Sequence, residues 1–241
     1  MLSRWNARLF SALPALLGRV PSQCAVCRAW PSRPVCDACI ARFAPPADRC
    51  TTCALPVAAG AVHCIDCRRQ LPPLDGCIAA CGYSWPWPGL IGDFKFRDEP
   101  GWAAPLAMLM RSAPWAEPAL ERADLVLPMP LSPVRLRERG FNQAFELARR
   151  LAPGKTDAGL LIRTRDTPAQ SGLTRAERLR NLQGAFAIEP LRASQVRGRR
   201  IVLVDDVMTS GASLFSAAQA LRTGGAAHVS AIVLARTEFL D

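Results

Sequence analysis

Between residues 24 and 67 the chain places eight cysteines in four Cys-x-x-Cys pairs: Cys24 and Cys27, Cys36 and Cys39, Cys50 and Cys53, Cys64 and Cys67. The connectors are rich in Pro, Ala and Arg and carry little apolar periodicity, so hydrophobic burial cannot fold this stretch by itself. Eight thiolates are enough for two tetrahedral sites of four cysteines each. Zinc suits closed, all-sulfur structural sites of this kind, and its binding free energy supplies what the missing core does not. Clustered pairs of this sort indicate a metal framework rather than a disulfide ladder, and they predict a reducing, cytoplasmic setting. The spacing leaves open whether the pairs share metals sequentially or interleaved. His63, beside Cys64, reads as a bystander, and Cys77 and Cys81 read as small apolar residues of a buried strand.

The rest of the 241 residues can build an ordinary core, since half of the composition is apolar. The net charge is +10, and Lys95 and Lys155 are the only lysines among thirty basic residues. Arginine presents a planar, multi-donor fork that matches phosphate, which makes a polyanionic substrate or partner a natural expectation. Residues 1–20 have a basic start and a short apolar middle interrupted by Pro14, and they are expected to form an amphipathic helix rather than a secretory signal. No apolar run approaches the ~18 residues of a membrane span.

From about Asp75 onward, strand and helix patterns alternate. CIAACGYSW and DLVLPM read as strands, GWAAPLAMLMRSA as a helix, and Phe141, Ala144, Phe145, Ala148 and Leu151 recur at helical spacing. IVLVDD, a helix through Leu214 and Leu221, and the strand HVSAIVLAR complete the series. The expected fold is α/β, a mostly parallel twisted sheet with helices on both faces. The domain expectation is a helix at 1–20, a double zinc ribbon at 21–70 and the α/β domain at 75–241.

In a parallel sheet, ligands bind beyond the carboxyl ends of the strands, and VLVDDVMTSGAS (202–213) falls on such an end. Small residues let backbone approach a ligand, and the N–H groups at a helix start form an anion site. Thr209, Ser210 and Ser213 add hydroxyl donors, with Gly211 and Ala212 between them. Two carboxylates beside a phosphate must face another part of the ligand, and the vicinal hydroxyls of a ribose are suitable donors to Asp205 and Asp206. The stretch lacks the Gly-Lys of a P-loop and the three spaced glycines of a dinucleotide fingerprint.

VLVDDVMTSGAS resembles the phosphoribosyl pyrophosphate (PRPP) motif of type I phosphoribosyltransferases. The resemblance implies that Asp205 and Asp206 hold the ribose hydroxyls and that Thr209, Ser210, Gly211, Ala212 and Ser213 cradle the 5′-phosphate. PMPLSPVRLRERGFNQAFELARRLA, TPAQSGLTRAERLRNLQGAF and the Cys-x-x-Cys region together resemble the ComF family, associated with DNA uptake in bacteria, over nearly the whole chain. RGFNQA (139–144) is the most specific piece. The family resemblance also suggests sequential metal pairing in a double zinc ribbon.

Further roles follow from that resemblance. Arg139 and Gly140, with Arg135 as a weaker candidate, occupy the place of the pyrophosphate loop, where positive charge stabilises the departing oxygens with the help of Mg2+ on the polyphosphate. Gln170, Arg178 and Asn181 match the family pattern in a segment where the enzymes carry a closing lid, which would exclude water from the reacting sugar. Lys95, in FKFRDEP, also matches a family position and can reach a phosphate. Thr209 stands where 6-oxopurine transferases keep a proton-moving acid, which disfavours a purine of that type as acceptor. The implied activity is displacement of pyrophosphate at the ribose anomeric carbon, in a protein linked to natural transformation. The rival reading is a non-catalytic PRPP sensor, or a module binding single-stranded DNA or a recombination or uptake partner, with Trp85 and Trp87 as stacking platforms.

Overall fold

β-Branched and small apolar residues dominate the segments that become strands, and in the computed structural model, which describes residues 22–97, 99–165, 181–182 and 184–238, six strands form. They are β1 (Gly76–Gly82), β2 (Leu125–Pro128), β3 (Leu161–Arg163), β4 (Phe186–Ile188), β5 (Arg200–Met208) and β6 (His228–Arg236). Four of them make a parallel sheet in the order β1-β6-β5-β2, while β3 and β4 form a separate antiparallel pair. The helices are α1 (Asp37–Phe43), α2 (Ile65–Arg69), α3 (Trp87–Phe96), α4 (Ala103–Ser112), α5 (Ala116–Arg122), α6 (Pro133–Arg139), α7 (Gln143–Leu151) and α8 (Ala212–Thr223).

The sheet is parallel because its strands are linked through helices, and its central strands are apolar on both sides for the same reason. Ile201, Val202, Leu203 and Val204 of β5 are all buried. Ile201 and Leu203, with Val229, Ala231 and Val233 of β6, share a core with Leu214, Ala217, Ala218 and Leu221 of α8. The opposite face is left to α4 and α7, which pack against each other and over the strands. The α/β class and the parallel sheet expected from the sequence are therefore present.

The chain divides into two compact units, Met1–Arg42 and Phe43–Asp241. In the first, Cys24, Cys27, Cys36 and Cys39 surround one centre. In the second, the buried Cys50, Cys53 and Cys67 belong to the same core as α8 and the sheet. Residues 1–20, with the expected amphipathic helix, and the lid residues Gln170 and Arg178 lie outside the described residues. Among the described residues no helix is long and apolar enough to cross a membrane.

Local departures from the sequence reading have clear causes. The first strand ends at Gly82 rather than continuing through Trp85, because Trp87 begins α3 with proline inside its first turn, where the missing N–H costs nothing. Trp87, Leu90, Ile91 and Phe94 anchor that helix, and the Trp87 indole N–H donates to the Phe43 carbonyl at 2.7 Å. Asp205 and Asp206 lie within β5, as the sequence placed them, and the strand runs on two residues further, to Met208.

Candidate functional site

β2 stops at Pro128, opposite Val204, while β5 continues to Met208 alongside β6. The last four residues of β5 therefore have no β2 partner, and the ledge opens into a cleft of about 180 Å³. Lys95 of α3, Arg135 and Arg139 of α6, and Gln143 of α7 line it together with Asp205, Asp206, Thr209 and Ser213. Of the sequence candidates, Gly140 does not line this cleft: it closes α6 in a left-handed conformation, φ 72°. Ser210 and Gly211 of the loop and Ala212 at the start of α8 are buried, and Asn181 is half-buried.

The two carboxylates are unequal. Asp206 pairs with Lys95, Nζ to Oδ1 at 2.7 Å. Asp205 accepts the backbone N–H of Asp206 at 2.9 Å. Burial, and then the adjacent Asp206 charge, push the Asp205 carboxyl up to about 7, although Lys95 and Arg139 pull it back. Two like charges at the end of one strand resist joint ionisation, and a ligand that donates hydrogen bonds or brings cationic charge relieves that repulsion.

The loop is shaped by Gly211. Its φ of +81° is left-handed, and a Cβ there would lie 2.6 Å from Met208 Cε and from Phe215 Cζ. Only glycine meets both demands. The N–H groups of Thr209, Ser210 and Gly211 find no acceptor among the described residues, and they precede the twelve-residue α8. Unpaired N–H groups at the positive end of a helix dipole form an anion site.

On the opposite wall, Ser132 and Asn142 cap α6 and α7 by accepting the N–H groups of Arg135 and Phe145. The Asn142 amide also donates to the Met129 carbonyl at 3.1 Å, tying α7 to the end of β2. The Arg139 guanidinium lies over the Phe96 ring, 5.1 Å from its centroid, and donates to Gln143 Oε1 at 3.0 Å. Burial and the nearby Arg135 lower its pKa, against the pull of Asp206 and Asp205. Arginine only donates, so Gln143 must turn its oxygen to Arg139. Its Nε2 is then a buried donor with no partner among the described residues. Gln143, Asn142 and Phe186 were not singled out from the sequence, although the first two stand in RGFNQA. That motif was visible, but only Arg139 and Gly140 were given tasks.

Each cysteine quartet groups sequential pairs, with its four sulfurs within 4.8 Å of one another. Sulfurs of Cys24 and Cys39 are 3.9 Å apart, and those of Cys53 and Cys64 are 3.6 Å apart. These lengths lie near the edge of about 3.8 Å for a tetrahedron with 2.3 Å metal–sulfur bonds. The quartets also share an electrostatic pattern. Burial opposes ionisation of Cys24 and Cys50, but backbone N–H donors of the surrounding turns outweigh it and bring both thiols down to about 6. Burial and the neighbouring cysteines push Cys39 up to about 12 and Cys53 to about 11. Such crowding of thiols suits a bound cation, and both quartets fit zinc.

Comparison with known proteins agrees with this anatomy. Residues 136–238 match the phosphoribosyl transferase domain model. The chain is 32% identical over 227 residues to the DNA utilization protein YhgH of Salmonella typhimurium, covering 90% of this chain and 98% of that one. It is 32% identical over 183 residues to competence protein F of Haemophilus influenzae, covering 73% and 79% of the two chains. Over 114 residues it is 38% identical to competence protein ComFC of Bacillus subtilis, covering 47% and 45%. The nearly full-length match, the phosphoribosyl transferase domain and the paired cysteine quartets assign the chain to a family: it belongs to the phosphoribosyltransferase-like proteins of the ComF family.

Proposed function

We propose that the cleft binds PRPP as its magnesium complex and that the protein displaces pyrophosphate at the anomeric carbon of the ribose. One observation carries this reading: the acid pair, the loop with unpaired N–H groups and the two arginines converge on the ledge where β5 outruns β2. The loop Thr209–Ser213 receives the 5′-phosphate. Asp205 and Asp206 accept hydrogen bonds from the ribose hydroxyls. Arg135 and Arg139 face the pyrophosphate and stabilise the charge that develops on it as the bond to carbon breaks. Gln143 Nε2 is placed to donate to one of those oxygens.

The donor set suits magnesium carried in by its ligand. Asp206 is already engaged by Lys95, so most oxygen ligands must come from phosphates and water, as is common for this ion. When bound, magnesium neutralises the polyphosphate. The thiol-rich ribbons suit a cytoplasmic setting. The names of the relatives, DNA utilization and competence proteins, extend the proposal to a role in handling imported DNA.

Calorimetry with PRPP and magnesium tests the site. Micromolar binding that is lost in the double variant Asp205→Asn, Asp206→Asn is expected, and equal binding in that variant would overturn the assignment. Pyrophosphate release in the presence of pooled acceptors then separates a transferase from a sensor, since a sensor binds PRPP and releases none.

A further inference from the structure

Arg236, the last residue of β6, is the most deeply buried charged residue of the described protein, 1% exposed. Its Nε donates to the Cys53 carbonyl at 2.8 Å. Its Nη1 donates to the carbonyls of Met208 at 3.1 Å, Thr237 at 2.6 Å and, more closely still, Thr209. One guanidinium thus joins a knuckle of the second cysteine quartet to the first residues of the phosphate loop.

The direction of these bonds matters. A trans peptide holds its C=O and N–H on opposite sides of the chain. Carbonyls of Met208 and Thr209 turned toward Arg236 therefore turn the next two N–H groups, those of Thr209 and Ser210, away from it. These are among the groups that find no acceptor within the described residues. The same quartet reaches the loop by packing as well. The Cys77 N–H donates to the Thr51 carbonyl, and the Cys77 thiol meets Met208 Sδ at 3.6 Å. Met208 in turn contacts the space that a Gly211 side chain would need.

We infer that Arg236 is a positioning residue that locks the phosphate loop to the Cys50, Cys53, Cys64 and Cys67 site, so that metal in this quartet and anion in the cleft stabilise each other. The inference rests on the proposed phosphate role of the loop. Coupling of this kind is reciprocal: whatever orders the loop must slow loss of the metal. The inference concerns this second quartet alone.

The test uses the full zinc-loaded chain and the variant Arg236→Lys, which keeps the charge but cannot reach all four carbonyls. Hydrogen exchange should accelerate at Thr237, whose N–H bonds the Met208 carbonyl, and at Ala54, whose N–H bonds the Cys50 carbonyl, while residues 201–204 of β5 stay protected; general destabilisation would raise all of them. A chelator should strip the second quartet about tenfold faster, the expected scale for losing hydrogen bonds from a charged donor, and leave the first quartet unchanged. PRPP with magnesium should protect the second quartet in the wild type and fail to do so in the variant. Unchanged exchange and unchanged zinc release in the variant overturn the inference. If the variant does not fold, the wild type decides it: chelation of the second quartet must speed exchange at Thr237, and if it does not, the link is refuted. Absence of PRPP binding to the wild type would refute the proposed function instead, leaving the exchange and zinc measurements to judge Arg236.

Discussion

Lys95 Nζ lies 2.7 Å from Asp206 Oδ1, although the lysine sits in the last turn of α3 and the acid near the end of an inner strand. Both side chains are largely shielded from water, at 17% and 10% exposure. The ammonium is the nearest cation that permits two carboxylates to coexist there. Lys95→Met is expected to destabilise the protein by about 1–3 kcal/mol, the scale for stranding a charged hydrogen-bonding partner, and to weaken PRPP binding. Adding Asp206→Asn should recover part of the lost stability, since the unpaired charge is then gone. Urea melts of the two single variants and the double variant measure this.

The Asp205 carboxyl supplies a pH dependence of definite sign. Folding raises its pKa from 3.8 to about 7, so within that window the folded chain holds a proton that the unfolded chain has released. Its contribution to stability is present below the unfolded value, falls as pH rises through the window, and levels off above about 7. Asp205→Asn should remove that slope. PRPP needs the ionised, accepting form, so affinity should increase as pH approaches 7 and binding should release a proton. Calorimetry in buffers of different ionisation enthalpy detects that proton.

Gly211→Ala tests the loop. The added methyl group meets both a left-handed backbone and contacts at 2.6 Å with Met208 and Phe215. A loss of about 1–3 kcal/mol is expected from the backbone strain, accompanied by a fall in PRPP affinity larger than that of Ser213→Ala. Thermal melts and calorimetry on the same samples compare the two effects.

The cysteine quartets should respond differently to the loss of a ligand. Cys27 is exposed and belongs to the smaller unit, whereas Cys53 is 1% exposed within the main core. Cys27→Ser and Cys53→Ser should each lower the metal content from two zinc ions to one, counted by atomic absorption for the two quartets. Only Cys53→Ser should also lower the melting temperature of the phosphoribosyltransferase-like unit.

The parts of the protein governed by local chemistry were legible in the sequence. Four Cys-x-x-Cys pairs announced two sulfur quartets able to hold a metal, and IVLVDD announced a buried strand bearing two acids. What escaped depended on partners remote in the chain. Trp87 looked like a stacking platform, yet it is fully buried, with a carbonyl from Phe43 to satisfy its indole, in a helix that carries Lys95 to the acids. β3 and β4, three residues each, are too short to show a period. Gln143 passed as a motif letter because its importance lies in an amide orientation imposed by Arg139. Arg236 passed as the polar end of a strand, since nothing in HVSAIVLAR says that its guanidinium will be buried against four carbonyls.

β5 is hydrogen-bonded on one side by β6 and on the other, up to Val204, by β2. Beyond Val204 only the β6 side remains, where Asp205 still pairs with Val233, so the two acids are held by the sheet on one side and open to the ledge on the other. Whatever conformational freedom a ligand removes must then be removed from the helices and loops around the ledge. Under the proposed function, the sugar meets carboxylates held by the sheet, and adaptation is left to the groups that meet the phosphates.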